Sequence, residues 1–169
     1  MKHFKTLLLL AVFTLGLSAV ANAQKFGHIE TNKLLANMPA TKAMEKELEK
    51  MEKTYKDDIN TLTKKYQAKM KKYAAEEKGQ TEDTNNKRKQ EAQLDINRID
   101  QAKQFAAQEM QKKYADLLKP IVERAQKAIK DVAAEKGLVY IFDASAGKGL
   151  IVFEKGVDIY EAVKAKLGF

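Results

Sequence analysis

Apolar residues recur at intervals of four, three and four through the charged middle of this chain. Met44, Leu48, Met51, Tyr55, Ile59, Leu62, Tyr66, Met70 and Tyr73 hold that register without a gap. An eleven-residue repeat corresponds to about 3.67 residues per turn, close to the straight α-helix, so the stripe stays on one side with little supercoiling. A single helix cannot bury such a stripe alone. The rhythm returns at Ile99, Ala106, Met110, Tyr114, Leu117, Ile121, Ala125, Ala128 and Val132, with Lys103 as the one polar lapse. The sequence therefore predicts two long helices that cover each other.

The breakers set the limits of these helices. No proline or glycine falls between Ala40 and Lys78, and 39 residues at 1.5 Å each predict a helix of about 58 Å. Gly79 ends it, Gln80 to Thr84 form a polar turn in which Asp83 or Thr84 is the expected cap, and the returning helix runs to about Lys136 before Gly137. Pro120 removes a hydrogen bond to the carbonyl of Asp116 and predicts a bend there. Before the arm, Lys25 to Thr31 alternates like a short strand, Asn32 is the expected cap of a turn through Leu35, and Pro39 suits the first turn of the next helix. After it, Leu138 to Phe142 and Gly149 to Phe153 read as a β-hairpin. Asp158 and Glu161 have the spacing of a capping box for a last helix that buries Ile159, Val163 and Leu167.

The expected fold is α+β: a small β-rich body made of residues 24–39 and 120–169, carrying a helical hairpin arm over 40–119. Such a body is small enough that a single core is marginal, and oligomerisation is a common remedy. A homo-oligomer assembled through the body is the expectation.

Composition narrows the setting. Lys2 and Lys5 precede an apolar run from Leu7 to Leu17 and the small residues Ala21 and Ala23, the pattern of a signal peptide over residues 1–23 cut after Ala23. Nothing later approaches the roughly 20 apolar residues of a membrane span. The precursor carries 31 basic and 23 acidic residues; without Lys2 and Lys5 the balance is 29 against 23, or +6. There is no cysteine, hence no disulfide framework and no cysteine for a lipid anchor. Beyond the leader, His28 and Ser145 are the lone histidine and serine, which leaves no ordinary metal cluster or nucleophile–base pair. The segment around Gly147-Lys148-Gly149 lacks the spacing of a phosphate loop. No enzyme activity and no cofactor are expected, and export argues against nucleic acid.

The sequence resembles the Skp/OmpH family of periplasmic chaperones. The likeness is carried by the run from Leu117-Leu118-Lys119-Pro120-Ile121 through Val132-Ala133, by Gly137-Leu138-Val139-Tyr140-Ile141-Phe142-Asp143, and by Asp158-Ile159. It implies a jellyfish-shaped homotrimer in which three arms hold unfolded outer-membrane β-barrel precursors without ATP, in the periplasm. A non-catalytic envelope spacer or tether would use the same arms without a client surface.

Two sets of residues bear on that choice. Leu94, Ile96, Phe105 and Leu118 lie off the seam and exceed what two helices can cover, while Tyr66, Met70, Tyr73 and Met110 offer adaptable or amphipathic contact area. These eight are the candidate client-binding residues. From Thr63 to Gln90 nine basic residues face four acids, a local balance of +5. Within that set Lys64, Lys65, Lys69, Lys71, Lys72, Lys87, Arg88 and Lys89 are candidates for attracting acidic clients, anionic lipid or lipopolysaccharide.

Overall fold

The computed structural model describes residues 25–148 and 155–169. They divide into two compact units. One comprises the residues up to Thr31 together with Lys127–Gly168; the other comprises Asn32–Gln126 and the terminal Phe169.

The second unit is dominated by the predicted hairpin. Helix α1 (Thr31–Asn37) is followed by Met38, whose backbone is extended, and Pro39 opens α2 (Pro39–Glu76, 38 residues). Proline fits there because a first-turn N–H has no helical partner to lose. A 3₁₀ turn (Glu77–Gly79) leads towards α3 (Glu82–Glu135, 54 residues), which stays helical through Pro120. The cap of α3 is Thr81 rather than Asp83 or Thr84: its Oγ1 accepts the Thr84 N–H at 3.2 Å, and its carbonyl accepts from Asn85 at 3.0 Å. Thr81 wins because it stands immediately before the first helical residue, where a side-chain oxygen reaches the orphan amides. Asn85 Nδ2 also donates to the Glu77 carbonyl at 3.1 Å, tying the turn together.

The stripe is covered along its length. Met44, Ile99, Ala106, Ile121 and Ala125 are buried, and Leu48, Met51, Tyr55, Ile59, Leu62, Tyr66, Met70, Tyr73, Met110 and Leu117 are half-buried. Tyr114 departs from the expected seam, with 48% of its surface exposed. A tyrosine at a seam edge can keep its polar tip in water.

In the first unit, β1 (Phe26–Ile29) lies between β2 (Tyr140–Asp143) and β3 (Val157–Asp158), and both pairings are parallel. Among the described residues β2 pairs with the N-terminal strand; the second strand of the expected hairpin, 149–153, lies outside them. One reason is steric: Gly27 leaves room for Ile141 and Leu138, whose Cδ1 atoms would both stand 2.9 Å from a Cβ at that position. Phe26, Tyr140 and Phe142 share the other face, with ring centroids 5.9 to 6.5 Å apart.

Helix α3 ends as the sequence predicts. Gly137 adopts a positive φ of 61°, Leu138 N–H bonds the Ala133 carbonyl at 2.9 Å, and Gly137 N–H bonds Ala134 at 3.1 Å, the paired hydrogen bonds of a Schellman stop. Helix α4 (Tyr160–Leu167) buries Ile159, Val163 and Leu167, as expected, and Tyr160 too. Its start differs from the expected capping box. The carboxylate of Asp158 accepts the Tyr160 N–H at 2.8 Å, two residues on, and Ile159 occupies the cap position with no side-chain bond. Asp158 is held in β3, which puts it one residue too early to cap. Nor does Asn32 cap α1: the helix begins at Thr31, whose N–H finds Asp143 Oδ1 at 3.2 Å across the sheet.

Candidate interaction surfaces of the helical hairpin

The off-seam apolar residues separate into two classes. Ile96 and Leu118 are half-buried, whereas Leu94 and Phe105 expose 55% and 56% of their surface. Leu94 and Phe105 both sit on α3, eleven residues apart. That spacing is about three turns, or roughly 16.5 Å along the axis, and returns to nearly the same face. Phe105 is not loose: the Tyr55 ring of α2 meets it edge-on at 6.2 Å, a favoured aromatic geometry. Tyr55 supports this site and was legible only as a seam residue. Tyr66, Met70, Tyr73 and Met110 face the seam and are partly covered, so they present edges rather than whole side chains.

The basic residues also divide. Lys64, Lys65, Lys71 and Lys72 are exposed on α2, and their seven-residue spacing (64 with 71, 65 with 72) places each pair on one face about 10.5 Å apart. Lys87 is exposed but reaches Asp83 at 2.7 Å, one turn away. Lys69 and Arg88 are turned inward across the hairpin. Lys69 pairs with Asp95, which also receives Arg98 at 3.3 Å, and Arg88 pairs with Glu76 at 2.6 Å. The hydrogen bond from Lys69 holds the Asp95 carboxyl below its usual range, and the same bond raises the Lys69 ammonium. Tyr73 donates its hydroxyl to Glu91, which pushes the phenol upward, and the Arg88 guanidinium lies 4.5 Å from the Tyr73 ring centroid. Lys89 is exposed and lines a cavity beside them. Cross-links of this kind, with Lys113 to Glu47 at 2.6 Å, fix which turn of α2 faces which turn of α3. They spend part of the positive charge inside the hairpin.

In the other unit, sequence reasoning missed a polar cluster. Asp143 Oδ1 accepts from the N–H and Oγ of Ser145 at 3.0 and 2.6 Å and from Thr31 N–H, while Oδ2 accepts from Thr31 Oγ1 at 2.6 Å. Burial alone would push this carboxyl up, but the donors from Ser145 and Thr31 outweigh it and hold it at about 2. The parallel pairing of β1 with β2 is what aligns these residues, and no local spacing signals it.

Among the described residues no group of His, Cys, Asp or Glu is arranged to hold a metal ion, and no helix is long and apolar enough to cross a membrane.

A long helical hairpin joined in sequence to a small parallel sheet has a counterpart among known proteins. The family model described as outer membrane protein (OmpH-like) matches residues 25–167. The chain belongs to the OmpH-like family. In solved structures, this OmpH-like chain is similar to the crystal structure of a candidate outer membrane chaperone (OmpH-like) from Caulobacter crescentus CB15. The TM-score is 0.74 at 14% identity, over 84% of this chain and 82% of that one, a likeness that establishes the shared fold. No curated protein matches the sequence.

Proposed function

We propose that this protein is an ATP-independent periplasmic holdase that binds unfolded outer-membrane β-barrel proteins along its helical hairpin and keeps them from aggregating. Membership of the OmpH-like family supports a chaperone role, as does the fold shared with a chain described as a candidate outer membrane chaperone. The observation that carries the reading is the exposure of Leu94 and Phe105 on one face of a hairpin whose seam is covered except at Tyr114. A spacer gains nothing from large apolar groups in water, whereas a holdase needs them. The lysine face of α2 adds attraction for acidic clients and for anionic lipid or lipopolysaccharide. The unit containing the sheet is the oligomerisation body in this reading, and a homotrimer is the expected assembly. The aromatic face of Phe26, Tyr140 and Phe142, each at least 43% exposed, is the surface that a neighbouring subunit would cover.

The test is aggregation of a urea-denatured outer-membrane β-barrel precursor on dilution, followed by light scattering without nucleotide. The protein should suppress scattering, and the double variant Leu94→Ala, Phe105→Ala should lose most of that effect while keeping its helical signal and mass. Equal protection by the variant would remove this surface from the mechanism. No protection by the unaltered oligomer would refute the chaperone reading and leave a spacer or tether.

A further inference from the structure

The chain has neither cysteine nor tryptophan, which leaves the thioethers as the side chains most open to a mild two-electron oxidant. Beyond the leader there are five, Met38, Met44, Met51, Met70 and Met110, and all belong to the helical unit. The packing sorts them. Met38 and Met44 are buried, with 2% and 6% of their surface exposed, whereas Met51, Met70 and Met110 are half-buried.

Two of these three also line cavities. Near the hairpin turn, Met70 of α2 borders a cavity of about 330 Å³ with Tyr73, Ala74 and Ala92. Further along the arm, Met110 of α3 borders one of about 340 Å³ with Tyr55, Ile59 and Ala106. A water molecule takes up about 30 Å³ in the liquid, and hydrogen peroxide is little larger, so either cavity admits it. Met51 lines neither. Each helix of the pair thus offers one thioether to small solutes at its contact with the other.

We infer that Met70 and Met110 are paired oxidation sites at which a hydroperoxide reversibly loosens the helical hairpin. The sulfur lone pair takes one peroxide oxygen: an S–O bond forms, the O–O bond breaks, the thioether loses two electrons, and hydrogen peroxide, reduced by those two, leaves as water. A methionine sulfoxide reductase with a thiol reductant reverses the change, the sulfoxide oxygen leaving as water and the thiols as a disulfide. The sulfoxide is polar and chiral, unlike the flexible apolar group it replaces. Kept in the seam, its oxygen gives up hydration beside aromatic and alanine surface; turned out to water, it leaves space between the helices. Either course weakens the pairing. At Met110 the effect extends further, because Tyr55 borders the same cavity and meets the Phe105 ring edge-on. The inference goes beyond the holdase reading and does not depend on it.

The test treats the purified mature protein with graded hydrogen peroxide and follows each methionine by mass spectrometry of its peptides. Met70 and Met110 should gain oxygen about tenfold faster than Met38 and Met44, as their exposure dictates. Thermal unfolding, followed by the helical signal at fixed protein concentration, should drop by about 5 °C once both are oxidised. It should return after reduction by a pair of sulfoxide reductases, one for each epimer. The double variant Met70→Leu, Met110→Leu nearly conserves volume; it should melt like the parent and keep its midpoint in peroxide. Oxidation of Met38 and Met44 as fast as Met70 and Met110 would overturn the inference. So would an unchanged melt with both sites oxidised, or an equal drop in the leucine variant. The oxidation rates and the parent melt need no substitution, so they decide the matter even if the variant fails to fold.

Discussion

Replacing Asp143 by asparagine tests a strong electrostatic effect in the sheet unit. Four donors, two from Thr31 and two from Ser145, converge on this carboxylate, and its pKa is held at about 2 against 3.8 for an unperturbed aspartate. At about 1.4 kcal/mol per pH unit, that gap makes the ionised form worth roughly 2 kcal/mol to the folded state, an upper figure because the half-buried group keeps some solvent. The sign follows from linkage. Because the folded pKa lies below the unfolded one, the contribution is complete above about pH 5, declines as pH falls through 3.8, and is gone below about 2. Urea unfolding at fixed protomer concentration, from pH 7 to pH 2, should show Asp143→Asn less stable by about 1–2 kcal/mol at neutral pH, because one amide oxygen replaces two charged acceptors. The gap should then close towards pH 2. A gap that stays constant across that range would mean that the carboxylate's charge contributes nothing and that the asparagine acts through packing alone.

Other substitutions probe separate parts of the structure. Gly27→Ala would set a Cβ 2.9 Å from both Ile141 Cδ1 and Leu138 Cδ1 and 3.1 Å from the Val157 carbonyl; overpacking of this kind should cost about 1–3 kcal/mol in the urea midpoint. Leu34→Ala removes a fully buried side chain and should lower stability by about 2–5 kcal/mol, read in the same assay. Gly137→Ala forces a Cβ onto a residue at φ 61°, for a loss of about 1 kcal/mol in thermal unfolding. In Asp95→Asn, the Lys69 ammonium should titrate closer to 10.5 than in the parent protein, as seen in its side-chain NMR signal, because the carboxylate that raises it is gone.

Local physics made the arm legible and left the sheet obscure. The register of Met44 to Tyr73 and of Ile99 to Ala125 is written in the spacing of residues along one helix pair, and the stop at Gly137 in one residue's tolerance of positive φ. Tyr114 escaped that logic because a phenol serves equally at a covered or a wet position. The pairing at the centre of the sheet was hidden for a different reason. The two apolar runs near the C-terminus satisfy every local rule for a hairpin, yet the described partner of β2 is a strand from the other end of the chain, and nothing short-range encodes that pairing. The same holds at the surfaces. The exposure of Leu94 and Phe105 follows from their place off the seam, but the withdrawal of Lys69 and Arg88 depended on which carboxylates of the opposite helix came level with them.

The central position of β1 also dictates an order of assembly. Contacts across the hairpin turn, such as Tyr73 with Glu91, join residues 18 apart, whereas Thr31 and Asp143 stand 112 apart. Closing short loops is fast, and distant pairings must wait for the chain between them. The helical hairpin can therefore zip up while β1 still has neither neighbour. With both of its edges unpaired until β2 and β3 arrive, the N-terminal strand spends the early life of each molecule as an unsatisfied strand of the kind that this fold is proposed to shield in others.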